Sequence, residues 1–183
     1  MTAPQELRTA RLLLRPLEGG DASALAGLAS AREVAATTLR IPHPYTEDDA
    51  RSFLDSAAKD FREGRAVVFA ICVSPARNLC GCVGLHISSA HRHAELGYWI
   101  GVPSWGKGIA TEAARAAVAF GFASLQLHRI YAHYFAGNDG SRRVLEKIGM
   151  RHEGRLRQHI VKWDQLIDIE NYGILAEEFR PAP

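Results

Sequence analysis

The sequence predicts one α/β domain of the α+β type over its 183 residues: a mixed, mostly antiparallel sheet of about seven strands with helices on both faces. Three observations carry this. Short apolar runs bounded by turn formers cluster in two hairpins, over 66–87 and 155–175. An alanine-rich run over 109–125 lies between two strand-like runs and completes a strand–helix–strand unit. No repeat, low-complexity tract or linker divides the chain, so 1–183 is read as a single domain.

The elements follow in order. Residues 11–17 are apolar and end at a Pro-containing turn, which reads as a first strand. Asp21 is then read as the N-cap of a short Ala/Leu-rich helix over 22–31. Residues 32–45 are less regular, and Ile41-Pro42-His43-Pro44 cannot be helix interior. Thr46 caps a strong helix, because Glu47, Asp48 and Asp49 suit its positive pole and Ala50, Phe53, Leu54, Ala57 and Phe61 recur at helical spacing. Gly64 ends it. Strands are expected over 66–73, 79–87, 94–102 and 128–135, a helix from Asn138 to near Gly149, and strands over 155–161 and 166–175.

Bulk properties exclude several classes. The 22 basic and 20 acidic side chains nearly balance, which gives no basic surface for nucleic acid. Cys72, Cys80 and Cys82 offer neither a disulfide framework nor a second ligand pair at zinc spacing, and read as small buried hydrophobes. His91 and His93 lack further ligands, so no metal is expected. No run approaches the roughly 20 apolar residues of a membrane span, and no signal peptide is visible, which points to a cytoplasmic protein.

The stretch from Glu95 to Glu112 carries the chemistry. A strand feeds a glycine-rich turn that opens directly into a helix. A helix start has open backbone N–H groups and a partial positive charge, so it suits an anion. Gly106 and Gly108 let a phosphate approach, and Ala110 keeps the next position small. The Walker spacing is absent. The third glycine and early position of a dinucleotide motif are absent too. Gly-x-Gly alone remains equally compatible with a plain strand-to-helix turn.

Taken together, the blocks 9–17, 82–85, 94–101, 105–113, 127–130, 138–150 and 153–157 resemble the GNAT superfamily of N-acetyltransferases, within it the RimJ/RimL-type ribosomal-protein N-terminal acetyltransferases. The resemblance spans nearly the whole chain. The superfamily motif is Gln/Arg-x-x-Gly-x-Gly/Ala; here Gly108 and Ala110 fill the small positions and Trp105 stands in the Gln/Arg place, as is common in that subgroup.

The resemblance implies an acetyl-CoA-dependent acyltransferase with a splayed parallel strand pair, here 94–102 and 128–135. Backbone groups of Ile100 and Val102 would pair with the pantetheine arm, as an added strand would. The turn of Trp105, Gly106, Lys107, Gly108, Ile109, Ala110 and Thr111 would hold the pyrophosphate. Asn138 would bond the cofactor near its thioester, or serve as a helix cap, or both. Arg143, with Arg142 and Lys147, would face cofactor phosphates or form a solvated helix face.

Amine attack needs a neutral amine. An α-amine, with pKa near 8, is roughly one-third neutral at about pH 7.5, whereas a lysine is only about 0.1% neutral, a deficit of ~4 kcal/mol. The acceptor is therefore expected to be an N-terminal α-amine, by resemblance that of a ribosomal protein. A polyamine or aminoglycoside is the alternative. Glu95 is the candidate base, acting through water, with burial between Ala94 and Leu96 expected to raise its pKa; its other reading is a substrate ligand. Leu145 occupies the position of the superfamily's usual tyrosine acid, so Ser141, by resemblance to the subgroup, becomes the candidate proton donor, with a plain helix-start role as the alternative. His133 is a further, weaker candidate. A non-catalytic acyl-CoA-binding module stays open as the second class. Residues 37–45 and the 162–165 turn would shape the acceptor cleft, by resemblance; monomer and homodimer are not distinguished.

Overall fold

The computed structural model describes residues 5–180. They build one eight-stranded sheet in the order β1-β2-β3-β4-β5-β6-β8-β7. The strands are β1 Leu7–Arg8, β2 Leu12–Pro16, β3 Ala66–Val73, β4 Asn78–Ser88, β5 His93–Ile100, β6 Arg129–Phe135, β7 Arg151–Lys162 and β8 Gln165–Leu175. The helices are α1 Ala22–Ala29, α2 Arg32–Ala36, α3 Glu47–Arg62, α4 Ile109–Ala123 and α5 Asp139–Lys147. Every neighbouring pair is antiparallel except β5 and β6, which α4 connects. β1 makes the sheet one strand larger than the sequence suggests, because two residues carry no readable period.

Strand alternation divides the sheet into two faces. On one, Leu12, Leu14, Phe69, Ile71, Leu85, Ile130 and Ile174 pack with Ala113, Ala114, Ala117 and Val118 of α4. The alanines are needed because α4 lies close to the sheet: a Cβ at Gly121 would sit 2.7 Å from Ile130 Cδ1 and 2.9 Å from Leu85 Cδ1. On the other face, Leu25 of α1 and Ala50 and Leu54 of α3 cover Cys82, with Val68 and Trp99 beside them. All three cysteines are buried free thiols, and burial pushes each thiol up.

Thr46 starts α3 with a reciprocal cap: its hydroxyl accepts the Asp49 N–H at 3.2 Å, and Asp49 Oδ2 accepts the Thr46 N–H at 2.8 Å. Asp21 does not cap α1. Its backbone is already helical (φ −77°, ψ −13°) and its side chain makes no cap bond. It turns back instead, accepting the Glu18 N–H at 2.8 Å and the Arg15 guanidinium at 2.8 and 2.6 Å. Burial alone would raise the Asp21 carboxyl, but the bonds from Arg15 and Glu18 outweigh it and hold it below the usual range. A carboxyl lowered on folding stabilises the fold above its unfolded pKa, and that contribution fades as pH falls through the folded value. Asp21→Asn is therefore expected to cost roughly 3 kcal/mol at neutral pH, as for breaking other buried pairs. Urea unfolding should show the gap to wild type closing below about pH 4.

Candidate active site

The site begins where the sheet opens. β5 and β6 pair only at His93–Arg129, Ala94–Ile130 and Glu95–Tyr131. Beyond Glu95, β5 stays on β4 as far as Gly81–Ile100, and β6 stays on β8 as far as Phe135–Ile169. Each half-sheet is intact, so the facing edges of β5 and β6 diverge and leave backbone groups open to a ligand. A cavity of about 1190 Å³ occupies the opening. It is lined from one face by α3 and residues 37–42, and from the other by the start of α4 and by α5.

Glu95 stands at the fork. Ala94 and Leu96 do not bury it, because alternation sends both into the α4 face while Glu95 faces the cavity with its side chain 25% exposed. His133 Nδ1 lies 3.4 Å from Glu95 Oε1. His86, register partner of Glu95 on β4, also lines the cavity. Burial, aided by the charge of Arg40, lowers the His86 pKa and keeps the ring neutral.

Across the gap, Gly106 (φ 73°) and Gly108 (φ 76°) adopt the left-handed backbone that side chains resist. A Cβ at Gly106 would meet nothing within 4 Å, so the turn leaves room above it. The first amide of the helix start to find a backbone acceptor is that of Glu112, on the Gly108 carbonyl at 3.1 Å. The preceding first-turn amides keep their donors for an anion. Ile109, Ala110 and Thr111 also line the cavity. These features fit the pyrophosphate of acetyl-CoA.

Trp105 does something the motif does not reveal: its indole N–H donates to the Ile100 carbonyl at 2.6 Å and ties the turn to the end of β5. The strand expected over 94–102 stops at Ile100, because Val102 enters a 3-10 turn with Pro103 and its carbonyl accepts the Trp105 N–H at 3.1 Å. Ile100 lines the cavity; Val102 and Lys107 do not.

On α5, Asn138 Oδ1 accepts the Ser141 N–H at 3.1 Å, which makes Asn138 a true cap that also lines the cavity. Its side-chain amide N–H groups stay available among the described residues, so both of its roles are compatible. Arg143 and Lys147 line the cavity, whereas Arg142 is engaged by Asp139 and Glu146, both at 3.1 Å. Ser141 Oγ lies 2.6 Å from the phenol oxygen of Tyr98. Burial pushes the Tyr98 phenol up to about 12, so it stays protonated. Leu145, in the position of the missing tyrosine, is fully buried.

Sequence reasoning missed Tyr98, although its parity with Ala94, Leu96 and Ile100 sends it to the α4 face. The 162–165 turn is expected beside residues 37–45, but not the contact that joins them: the buried Lys162 ammonium donates to the carbonyls of Leu39 (3.4 Å) and Ile41 (3.0 Å). Trp163 beside it is flanked by Arg32 and His43. The β7–β8 turn thus holds residues 37–45 against the cavity.

An open strand edge, a helix start with unpaired amides and a carboxylate at the fork share one cavity, an arrangement suited to acyl transfer from a phosphate-bearing thioester to an amine. Comparison with known proteins agrees. The model of the acetyltransferase (GNAT) domain matches residues 11–151. The uncharacterized N-acetyltransferase YoaA of Bacillus subtilis (strain 168) is 33% identical over 170 residues, covering 92% of this chain and 96% of that protein. The spermidine N(1)-acetyltransferase of Vibrio cholerae serotype O1 is 28% identical, covering 92% of this chain and 95% of its own length. The crystal structure of Mycobacterium smegmatis RimJ in complex with a CoA disulfide superimposes with a TM-score of 0.83 at 27% identity, covering 91% of this chain and 83% of that one.

The chain belongs to the GNAT acetyltransferase family. It is an N-acetyltransferase, and its acetyl donor is acetyl-CoA. No helix among the described residues is long and apolar enough to cross a membrane.

Proposed function

We propose that the acceptor is an N-terminal α-amine of a peptide or protein, with a ribosomal protein N-terminus as the first candidate, in the manner of the RimJ/RimL subgroup. One observation carries this reading. Three carboxylates line the acceptor half of the cavity, namely those of Asp49, Asp60 and Glu95. Asp49 is committed to the Thr46 cap, and Asp60 accepts Arg65 Nε at 3.0 Å and Nη2 at 2.6 Å. Asp60 is thereby offset by a cation, whereas Asp49 keeps its charge because its cap partners are neutral, and Glu95 is the carboxylate of the three that stands at the fork itself. A single ammonium at the fork suits that placement; of a polyamine's further charges one could meet Asp49 and the rest would lack partners.

In this reading Glu95 takes the proton of the attacking amine through water, in a site whose open strand edge orients the thioester. Backbone N–H groups at the end of β5 face the acetyl carbonyl, where a preplaced donor is worth about 3–4 kcal/mol. Ser141 donates toward the departing sulfur, and Arg143 with the turn 105–111 anchors the phosphates.

The likeness to a spermidine acetyltransferase supports a second reading, a small polycationic amine as acceptor. Thiol release from acetyl-CoA, followed with a free N-terminal peptide, spermidine and an aminoglycoside, separates the two. The expected result is a kcat/KM at least about tenfold higher for the peptide, the discrimination one unmatched buried charge imposes. Faster turnover of spermidine overturns the α-amine reading, and no turnover of the peptide overturns it as well.

A further inference from the structure

The block from Thr9 to Leu17 has no part in the chemistry described so far, yet its first residues converge on the phosphate turn. Thr9 Oγ1 donates to Glu112 Oε1 at 2.6 Å, and the Arg11 N–H donates to the same oxygen at 3.0 Å. Arg11 Nε and Nη2 approach Glu112 Oε2 at 2.8 and 2.7 Å. The remaining guanidinium nitrogen, Nη1, donates to the Lys107 carbonyl at 3.0 Å. That carbonyl lies between Gly106 and Gly108.

Glu112 is anomalous for its place. It sits in the first turn of α4, at the positive pole that a pyrophosphate needs, and a carboxylate there competes with the anion for the same field. Burial alone would raise its pKa, but the bonds from Thr9 and Arg11 outweigh burial and keep it ionised. Its charge is therefore permanent and must be offset. Arg11 is the cation that does so. The same guanidinium draws the Lys107 carbonyl oxygen to itself, so the turn presents N–H groups rather than a carbonyl lone pair.

We propose that Arg11 is a positioning residue for acetyl-CoA: by neutralising Glu112 and holding the Lys107 carbonyl, it makes the turn 106–111 receptive to the pyrophosphate. The inference rests on the assignment of that turn to the phosphates. Its test compares acetyl-CoA with acetyl-pantetheine, which shares the thioester but lacks the diphosphate. Arg11→Ala is expected to raise KM for acetyl-CoA about tenfold, the scale of one charge at a helix start. KM for acetyl-pantetheine and both kcat values should stay within about twofold of wild type, since the reacting end is untouched. The double variant Arg11→Ala/Glu112→Gln should recover most of the lost affinity, because it removes the uncompensated charge as well. Equal loss with both donors, or a double variant no better than Arg11→Ala, overturns the proposal. A wild-type enzyme that uses acetyl-pantetheine as well as acetyl-CoA instead overturns the phosphate assignment beneath it.

Discussion

Replacing Glu95 with Gln is expected to lower kcat by ~10²–10³-fold, the usual range for a lost general base, while the Kd for acetyl-CoA stays within about twofold. The asymmetry follows from place. Glu95 faces the α3 side of the sheet at the fork, away from the phosphate turn and α5. The amide keeps the size and hydrogen-bonding reach of the carboxylate but accepts no proton, so binding survives and chemistry does not. Isothermal titration of acetyl-CoA, run beside steady-state rates, checks both halves. A variant that loses amine affinity but keeps kcat would make Glu95 a substrate ligand.

The second large effect belongs to the Tyr98–Ser141 pair. Ser141→Ala should reduce kcat by ~10²-fold if its hydroxyl protonates the leaving thiolate. Tyr98→Phe should reproduce most of that loss if the phenol is the donor across the 2.6 Å contact with Ser141 Oγ, since the serine proton would then be free to point at sulfur. Residues acting as one unit are not additive, so the double variant should be no slower than Ser141→Ala. Multiplicative losses would show that the two act separately. The phenol that the superfamily usually places at position 145 would then be supplied from β5 instead of α5.

Much of this fold is written locally. The α3 cap at Thr46, the alanines of α4 and the hairpin over 66–87 follow from spacing and turn chemistry. Asp21 misleads because an acid before a helix has two uses, and Arg15, six residues earlier, decides between them. Glu95 teaches a related lesson: apolar neighbours in a strand bury the opposite face, not the residue between them. Tyr98 and Ser141 meet across 43 residues, and Lys162 reaches Ile41 across 121, so no local pattern contains either contact. The gap between β5 and β6 is legible only through resemblance, since nothing in those strands says where pairing stops.

That gap has a kinetic consequence. A cavity lined from both faces of the sheet would give donor and acceptor of the proposed reaction separate entrances, so that neither would have to vacate for the other. Under the proposed function both would be seated before transfer, with no acyl group resting on a side chain, and each product would retreat by the route its precursor used. Free CoA would then be expected to compete with acetyl-CoA alone, leaving the acceptor doorway to the acetylated amine.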